Sequence, residues 1–229
     1  MIRIGLLISL ICFIAAASFS AIGWFGTPEG ASVPVHFNAS GEADRYGSKA
    51  EAFLFMPLIL AGLTFLLSLA PSIDPRGKNI RRSRSLYLAV WMIGALSLVG
   101  AQGMITYLAL GGEIPPDMMA RGTSVFIAVV LLAVGFFIAK ARPNFFAGVR
   151  TPWTLTSDLS WDKTHRWASR IFLLIGLVGL GAAFIFPPEF VTYGLIGALL
   201  SAALGLVVYS FIVWKNDPAR ETLNPDDAD

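Results

Sequence analysis

The chain has 229 residues, of which 55% are hydrophobic and only 14% are charged. A soluble domain carries charge on about a quarter of its residues, so the composition excludes an ordinary soluble protein. It predicts an all-α protein that crosses a membrane several times. The net charge of +2 excludes a strongly basic surface, and we expect no direct contact with nucleic acid.

Six apolar runs are each long enough to cross the hydrocarbon core of a bilayer as a helix. In chain order they are residues 4–24, 53–73, 86–110, 123–139, 167–187 and 191–214. We expect the fifth run to end at its prolines, Pro187 and Pro188. Gln102, inside the third run, is expected to form a hydrogen bond between helices.

Small residues recur in the later runs and predict a tightly packed helix bundle, because they let backbones approach closely. Those considered are Gly176, Gly179, Gly181, Gly194, Gly197, Ser201 and Gly205.

Six spans also divide into three plus three. We therefore expect an inverted repeat that relates spans one to three to spans four to six.

The basic residues predict the orientation of the spans. Fourteen of the 17 Lys and Arg residues lie at the N-terminus, after the second and fourth runs, or in the tail; Arg45, Lys49 and Arg121 are the other three. Basic residues remain preferentially in the cytoplasm, so we expect both termini there, with loop 25–52 outside and loop 140–167 inside. In an alternative interpretation, Arg3 and the small residues around Ser18 belong to a cleaved secretory signal.

The outward loop is polar and punctuated by turn-forming residues. Its stretch Asn38-Ala39-Ser40-Gly41 predicts a turn. His36, Glu42 and Asp44 are potential metal ligands, but their spacing matches no standard site. We therefore expect no metal here, and a solvated loop that folds back on the helix ends.

The stretch PVHFNASGEADRYGSK resembles the N-terminal module of bacterial membrane proteins of the DUF1648 type. The matching positions are Pro34, His36, Phe37, Asn38, Gly41, Asp44, Gly47 and Lys49. The resemblance covers about residues 20–75, and we assign residues 1–75 to this module. Within it, the candidate binding residues are His36, Asn38, Gly41, Asp44 and Lys49.

The inward loop predicts an extended or turn-like stretch over residues 148–155, followed by a helix. Pro152 disfavours helix at Thr151, and Thr156 or Ser157 is a suitable N-cap. Helical spacing then places four residues on one face, namely Trp161, Thr164, His165 and Ala168, so that Trp161 and His165 are expected to stack one turn apart. Asp162 and Arg166 are spaced for an ion pair. We expect a short amphipathic helix at the membrane surface that leads into the fifth run.

Two interpretations of this loop remain open. Trp153, Trp161 and Trp167 suit membrane-interface anchors, with the Arg residues facing lipid phosphates. Alternatively, the ordered string of polar residues binds a partner or a ligand.

The stretch NFFAGVRTPWTLTSDLSWDKTHR is similar to the C-terminal signature of SdpI-type membrane proteins. The matching positions are Asn144, Gly148, Arg150, Thr151, Pro152, Trp153, Thr154, Leu155, Ser157, Trp161, Thr164, His165 and Arg166. After them the family often has a small pair with Gly, where this chain has Trp167-Ala168-Ser169. We assign residues 76–214 to this module and residues 215–229 to a disordered cytoplasmic tail. The inward binding candidates are Asn144, Arg150, Thr151, Pro152, Trp153, Ser157, Trp161, Thr164, His165 and Arg166.

This second resemblance implies an immunity protein of the bacterial inner membrane. The family's namesake protects a bacterium from its own secreted peptide toxin and draws a transcriptional repressor to the membrane. The partners it implies are the bilayer, an extracellular peptide toxin and a cytoplasmic repressor.

Two other function classes compete with immunity. The first is a transporter or flippase for an amphipathic peptide or lipid. The second is a membrane enzyme in which His165 acts as a general base with Ser157, Thr164 or Asp162. The sequence has no paired carboxylates, no metal-ligand spacing and no phosphate-binding Gly loop, and neither His has an evident orienting partner. We therefore expect binding without catalysis, with no catalytic residue and no cofactor.

Overall fold

A computed structural model describes residues 1–220, and residues 221–229 of the predicted tail lie outside the described part. That part contains eight helices and a two-stranded antiparallel hairpin. In chain order they are α1 (Ile2–Gly26), β1 (Val33–Phe37), β2 (Ala43–Gly47), α2 (Lys49–Ile73), α3 (Gly77–Arg82), α4 (Arg84–Ala109), α5 (Pro116–Ile138), α6 (Pro152–Leu155), α7 (Asp158–Ala182) and α8 (Pro188–Lys215). The prediction of a mostly helical protein is confirmed.

Five of these helices are long and apolar enough to cross a membrane, namely α1, α2, α4, α5 and α8. Together they identify a multi-pass membrane protein. Helix α7 has 25 residues, but its N-terminal half is polar and carries several charges. A sixth crossing by α7 therefore stays a prediction, as does the inverted repeat.

Proline positions explain where the predicted spans were misplaced. Pro116 begins α5 and Pro188 begins α8, because a proline in the first helical turn removes an N–H that has no partner there. The fourth predicted span, α5, thus starts before residue 123. The fifth predicted span, α7, ends at Ala182 instead of at Pro187 and Pro188. The amphipathic helix predicted to lead into the fifth span is continuous with it, since Asp158 and the residues that follow belong to α7, and its position at the membrane surface stays a prediction.

The chain forms two compact units. Unit 1 comprises Met1–Leu69, Val90–Phe126 and Ala182–Tyr193. Unit 2 comprises Ala70–Ala89, Ile127–Gly181 and the segment from Gly194 onwards. The proposed sequence boundary between residues 75 and 76 stays a prediction.

In unit 1, small residues of α1 admit large side chains from neighbouring helices. A Cβ on Gly5 would overlap the ring of Trp91, and a Cβ on Gly23 would overlap the ring of Phe53. The Ser9 hydroxyl lies 2.7 Å from the indole nitrogen of Trp91. Close van der Waals packing and hydrogen bonding therefore hold α1 against its neighbours. These interactions drive the association of helices in a bilayer, where lipid is as apolar as the side chains.

Gln102 forms the predicted hydrogen bond between helices. Its Nε2 donates to the carbonyl of Ala52 at 3.2 Å, and its side chain is fully buried. One turn along α4, Thr106 donates to the carbonyl of Phe19 at 3.0 Å. Gln102 and Thr106 of α4 therefore each satisfy a backbone carbonyl of unit 1.

In unit 2, the small residues of α7 and α8 behave differently. Gly176 of α7 packs against Leu132 and Gly179 packs against Leu195, so the prediction of close packing is correct there. Gly181, Gly194, Gly197 and Gly205 have no neighbour within 4 Å of an added Cβ, and Ser201 is exposed. The tight-bundle prediction was wrong for these positions, because the packed face of α8 runs through Leu195 and Leu206 instead.

Candidate functional site

Loop 25–52 contains the β1–β2 hairpin, residues 33–47, where the sequence predicted only a solvated loop. Val33 pairs with Gly47 at its base and Phe37 pairs with Ala43 near its tip. Each strand has five residues, one carries Pro34, and the register shifts twice. Such short and irregular strands leave little alternation for a sequence pattern to show.

The predicted turn at Asn38 is confirmed and closes the hairpin. The Oδ1 of Asn38 accepts hydrogen bonds from the N–H groups of Ser40 and Glu42, each at 3.0 Å. Gly41 has φ +81°, and a Cβ there would overlap the carbonyl of Pro116. Gly41 is therefore required both by its backbone conformation and by the contact of the tip with α5.

The exposed face of the hairpin carries an ordered polar pair. The Nδ1 of His36 lies 2.5 Å from the Oδ1 of Asp44 on the facing strand, and both side chains are exposed. The sequence prediction that neither His has an orienting partner was wrong for His36. The pairing is cross-strand, which no sequence spacing showed because the hairpin was not predicted.

Lys49 begins α2 beside the base of the hairpin. Its side chain is only 11% exposed, whereas that of its partner Glu29 is 85% exposed, at an Nζ to Oε1 distance of 2.7 Å. The same Nζ lies 5.2 Å from the ring centroid of Trp24. These residues line an open cleft of about 500 Å³ together with Tyr46 and the backbone of the adjoining loop.

The second candidate region, residues 144–166, is called the signature segment below. Asn144 organises its first turn, because its Nδ2 donates to the carbonyls of Arg142 and Ala147. Its Oδ1 accepts from the N–H groups of Phe146 and Ala147 at 2.8 and 2.7 Å. All of this hydrogen bonding is local, and the side chain is 1% exposed.

Gly148 and His165 meet at the centre of the signature segment. The N–H of Val149 donates to Nε2 of His165 at 3.0 Å, so the Nδ1–H tautomer donates to the carbonyl of Trp161 at 2.8 Å. Gly148 has φ +123°, and a Cβ there would overlap Nε2. Burial lowers the pKa of His165 from 6.5 to about 4, against the opposing effects of the Trp161 carbonyl and Asp162. The imidazole is therefore neutral at physiological pH.

The middle of the signature segment is the four-residue helix α6. Thr151 caps it, accepting from the N–H of Thr154, while Thr154 Oγ1 accepts from the N–H of Thr151. Pro152 occupies the first turn, where its lack of an N–H has no cost. The Thr151 hydroxyl also lies 3.0 Å from that of Ser210 on α8.

Ser157 caps α7 and joins it to the end of α8. Its hydroxyl accepts from the N–H of Ser160 at 2.9 Å and donates to Oδ2 of Asp217 at 2.5 Å. This hydrogen bond lowers the pKa of Asp217, and a second hydrogen bond from the N–H of Ala219 adds to the effect. Sequence reasoning identified the Ser157 cap but missed Asp217, which lies 60 residues away and follows the last apolar run.

Trp161 stacks on His165 as predicted, with ring centroids 4.1 Å apart, and the predicted Asp162–Arg166 ion pair measures 2.7 Å. Trp161 is 1% exposed and donates to the carbonyl of Ala141 at 2.9 Å. Its interpretation as a membrane-interface anchor was therefore wrong, since the indole fills the core of unit 2. Trp167, by contrast, is 45% exposed.

Burial separates the predicted inward binding residues into two groups. The buried group comprises Asn144, Thr151, Ser157, Trp161, Thr164 and His165. The exposed or half-exposed group comprises Arg150, Pro152, Trp153 and Arg166. Only the second group can touch a partner in this conformation, and binding by these residues stays a prediction.

The geometry gives no support to His165 as a general base. Both ring nitrogens contact backbone groups of Val149 and Trp161, and Ser157 directs its hydroxyl to Asp217. Within residues 1–220, there is also no group of three His, Cys, Asp or Glu residues arranged to hold a metal ion.

A cavity of about 640 Å³ lies beside the signature segment. Three arginines line it, namely Arg82, Arg142 and Arg166, together with Asp158 and Asp162. Trp161 and Asn79 also line it. The recess thus carries three cations and two carboxylates, of which Arg166 and Asp162 form an ion pair.

Comparison with known proteins matches both regions. Residues 140–211 match the SdpI/YfhL protein family, and residues 10–61 match the domain of unknown function DUF1648. The chain is 25% identical over 108 residues to Immunity protein SdpI of Bacillus subtilis (strain 168). That match covers 47% of this chain and spans 50% of the length of the relative. No solved structure matches the chain.

The DUF1648 match contains the hairpin, and the SdpI/YfhL match contains the signature segment. The curated relative carries the name of the second family. That relative is named as an immunity protein and not as an enzyme. Residues 140–211 are therefore an SdpI-type region, and residues 10–61 are a DUF1648 module.

Proposed function

We propose that this protein is an immunity protein of the bacterial inner membrane that protects its cell from a secreted peptide toxin. The observation that supports this most is that both family motifs fold into compact polar segments, in a chain similar to an immunity protein. In this proposal both termini and the signature segment face the cytoplasm, and the hairpin faces outward, following the distribution of basic residues.

The hairpin is the surface that receives the toxin. Its tip is fixed to unit 1 by Gly41 and by a hydrogen bond from Ser40 to Glu189 at 2.9 Å. The His36–Asp44 pair stands exposed on this fixed scaffold. A rigid scaffold with exposed polar side chains loses little conformational entropy when a peptide binds.

The signature segment is the surface that reports to the cytoplasm. Its buried residues hold the backbone of residues 144–157 in one conformation, so that Arg150, Pro152 and the arginine-lined cavity are presented rigidly. A cytoplasmic regulator with an acidic surface is the partner that this arrangement suits.

A deletion strain tests the immunity proposal. Cells without the gene are challenged with peptide fractions of their own culture medium, and growth and membrane potential are followed. We expect at least one fraction to depolarise the deletion strain and to spare the complemented strain. Equal growth of both strains in every fraction would refute immunity.

Variants of exposed residues separate the two surfaces. His36→Ala with Asp44→Ala is expected to abolish protection at an unchanged level of protein in the membrane. The matched control, Arg45→Gln, alters the same strand and is expected to keep protection. Arg142→Gln with Arg166→Gln is expected to keep protection but to lose the transcriptional response to the toxin.

A flux measurement distinguishes immunity from transport. Liposomes that contain the purified protein are given the labelled toxic fraction, with empty liposomes as the control. An immunity binder retains label on the membrane without accumulation inside, whereas a transporter accumulates it. Accumulation would replace the proposed function by the transporter alternative.

A further inference from the structure

The cleft beside the hairpin has a nearly buried cation with a poorly held partner. Of the ten described residues that line it, Lys49 is the one cation and Glu29 the one anion. Lys49 is 11% exposed and Glu29 is 85% exposed. A buried charge needs a partner, yet the partner here is a surface carboxylate that almost entirely faces solvent.

The position of Glu29 shows how easily it can be exchanged. Glu29 lies in a turn in which the N–H of Ala31 donates to the carbonyl of Pro28 at 3.3 Å, with Gly30 at φ +77°. A Cβ added at Gly30 would meet nothing within 4 Å. Ion pairs with one highly exposed member contribute little to stability, so another carboxylate can replace Glu29 at small cost.

The ammonium of Lys49 has a second partner besides Glu29. It lies over the ring of Trp24 at 5.2 Å from the centroid, and a cation above an indole face is attracted independently of any carboxylate. Lys49 also begins α2, where the helix dipole favours an incoming anion.

The rest of the cleft suits a peptide. Trp24 and the 57% exposed Tyr46 supply aromatic surface for apolar side chains. Residues 30–32 and 47–50 are mostly small, so few bulky side chains on this wall would keep a peptide chain away. The volume of about 500 Å³ is enough for a few residues.

We propose that this cleft binds a carboxylate of an amphipathic peptide, which replaces Glu29 on Lys49 while the aromatic rings hold the adjacent apolar residues. Glu29 occupies the site in the absence of ligand and competes with it. The choice of a peptide as the ligand rests on the proposed function; the carboxylate site itself rests on the cleft.

The experiment measures binding of tritiated tripeptides to the full chain in phosphatidylcholine nanodiscs by equilibrium dialysis, with empty nanodiscs subtracted. The probes are acetyl-Leu-Leu-Phe with a free carboxylate, its carboxamide, and the carboxamide of acetyl-Leu-Asp-Phe. The first and third probes distinguish a C-terminal from a side-chain carboxylate. We expect at least one carboxylate probe to bind about tenfold more tightly than the uncharged carboxamide, as one charge-assisted hydrogen bond provides.

The variants have opposite expected effects. Glu29→Gln removes the competitor and is expected to raise the affinity for the carboxylate probe severalfold. Lys49→Gln is expected to remove the preference for carboxylate. Arg45 pairs with Glu51 and not with Glu29, so the control Arg45→Gln is expected to preserve this preference. Glu29 is exposed, so Glu29→Gln tests the proposal even if Lys49→Gln fails to fold.

Three results would overturn the proposal. They are equal binding of acid and amide, unchanged or weaker binding by Glu29→Gln, and stronger competition by glycerol 3-phosphate than by the peptide acids. The last result would assign the cleft to lipid phosphate. Because binding is measured without toxin or cells, a failure here leaves the challenge test of immunity standing, and a failed challenge leaves the carboxylate site standing.

Discussion

Gly148→Ala is expected to destabilise unit 2, because no other residue fits between the backbone and the His165 ring. The φ of +123° is a left-handed conformation that costs a residue with a Cβ about 1–3 kcal/mol. The new methyl group also displaces Nε2 of His165, which breaks its hydrogen bond with the N–H of Val149 and costs about 1 kcal/mol more. The expected loss is therefore about 2–4 kcal/mol in the free energy of unfolding.

The assay is unfolding of the purified protein in mixed micelles by added sodium dodecyl sulfate, followed by tryptophan fluorescence. Trp161 stacks on His165 and responds directly to a displaced ring. Gly181→Ala is the matched control, because a Cβ there has no neighbour within 4 Å and alanine favours the helix. If Gly148→Ala unfolds within about 0.5 kcal/mol of the wild type, the reasoning about His165 is refuted.

Three further predictions concern pH and packing. The pKa of His165 is about 4 in the folded protein and 6.5 in the unfolded chain, so only the unfolded chain takes up a proton between these values. The free energy of unfolding should therefore fall by about 2 kcal/mol between pH 7.5 and 5, and the same slope in His165→Gln would contradict this. Asp217→Asn weakens the hydrogen bond from Ser157 and should lower the thermal midpoint at neutral pH. Because folding lowers the pKa of Asp217, its stabilising effect is present at neutral pH and is lost as pH falls through the folded pKa. The thermal midpoints of the wild type and Asp217→Asn should therefore converge in acid, and an undiminished difference there would contradict this role of Asp217. Gly23→Ala overlaps a phenyl ring and should cost about 1–3 kcal/mol in the same unfolding assay, whereas Gly62→Ala has open space and should be neutral; equal effects would contradict the packing.

The signature segment shows how far sequence reasoning reached at the candidate site. Helical spacing correctly predicted the stacking of Trp161 on His165 and the Asp162–Arg166 pair, because both are contacts between residues four apart in one helix. It did not predict that Val149 N–H bonds to His165, since that contact depends on how an irregular loop folds over the helix. The sequence alone thus left two interpretations open for residues that the fold largely buries.

The hairpin illustrates the opposite case. Asn38 and Gly41 predicted a turn, because both residue types favour turn conformations of the backbone. The pairing of His36 with Asp44 required a strand register, which no local pattern in five-residue strands encodes. The prediction of an unpartnered His36 failed for this reason.

The sequence by itself determined that the protein lies in a lipid bilayer and that it is mostly helical. Long apolar runs cannot be hydrated, so they must be helices that satisfy their own backbone groups in a bilayer. Local rules also gave Thr156 or Ser157 as a helix cap, and the structure shows Ser157 in that role, but they did not predict α6 or its cap at Thr151. Only the tertiary structure decided which side chains face inward, because helix periodicity leaves unspecified which face meets a neighbour. It is therefore the fold that turns Trp161 into core and leaves Lys49 in a cleft with an exchangeable partner.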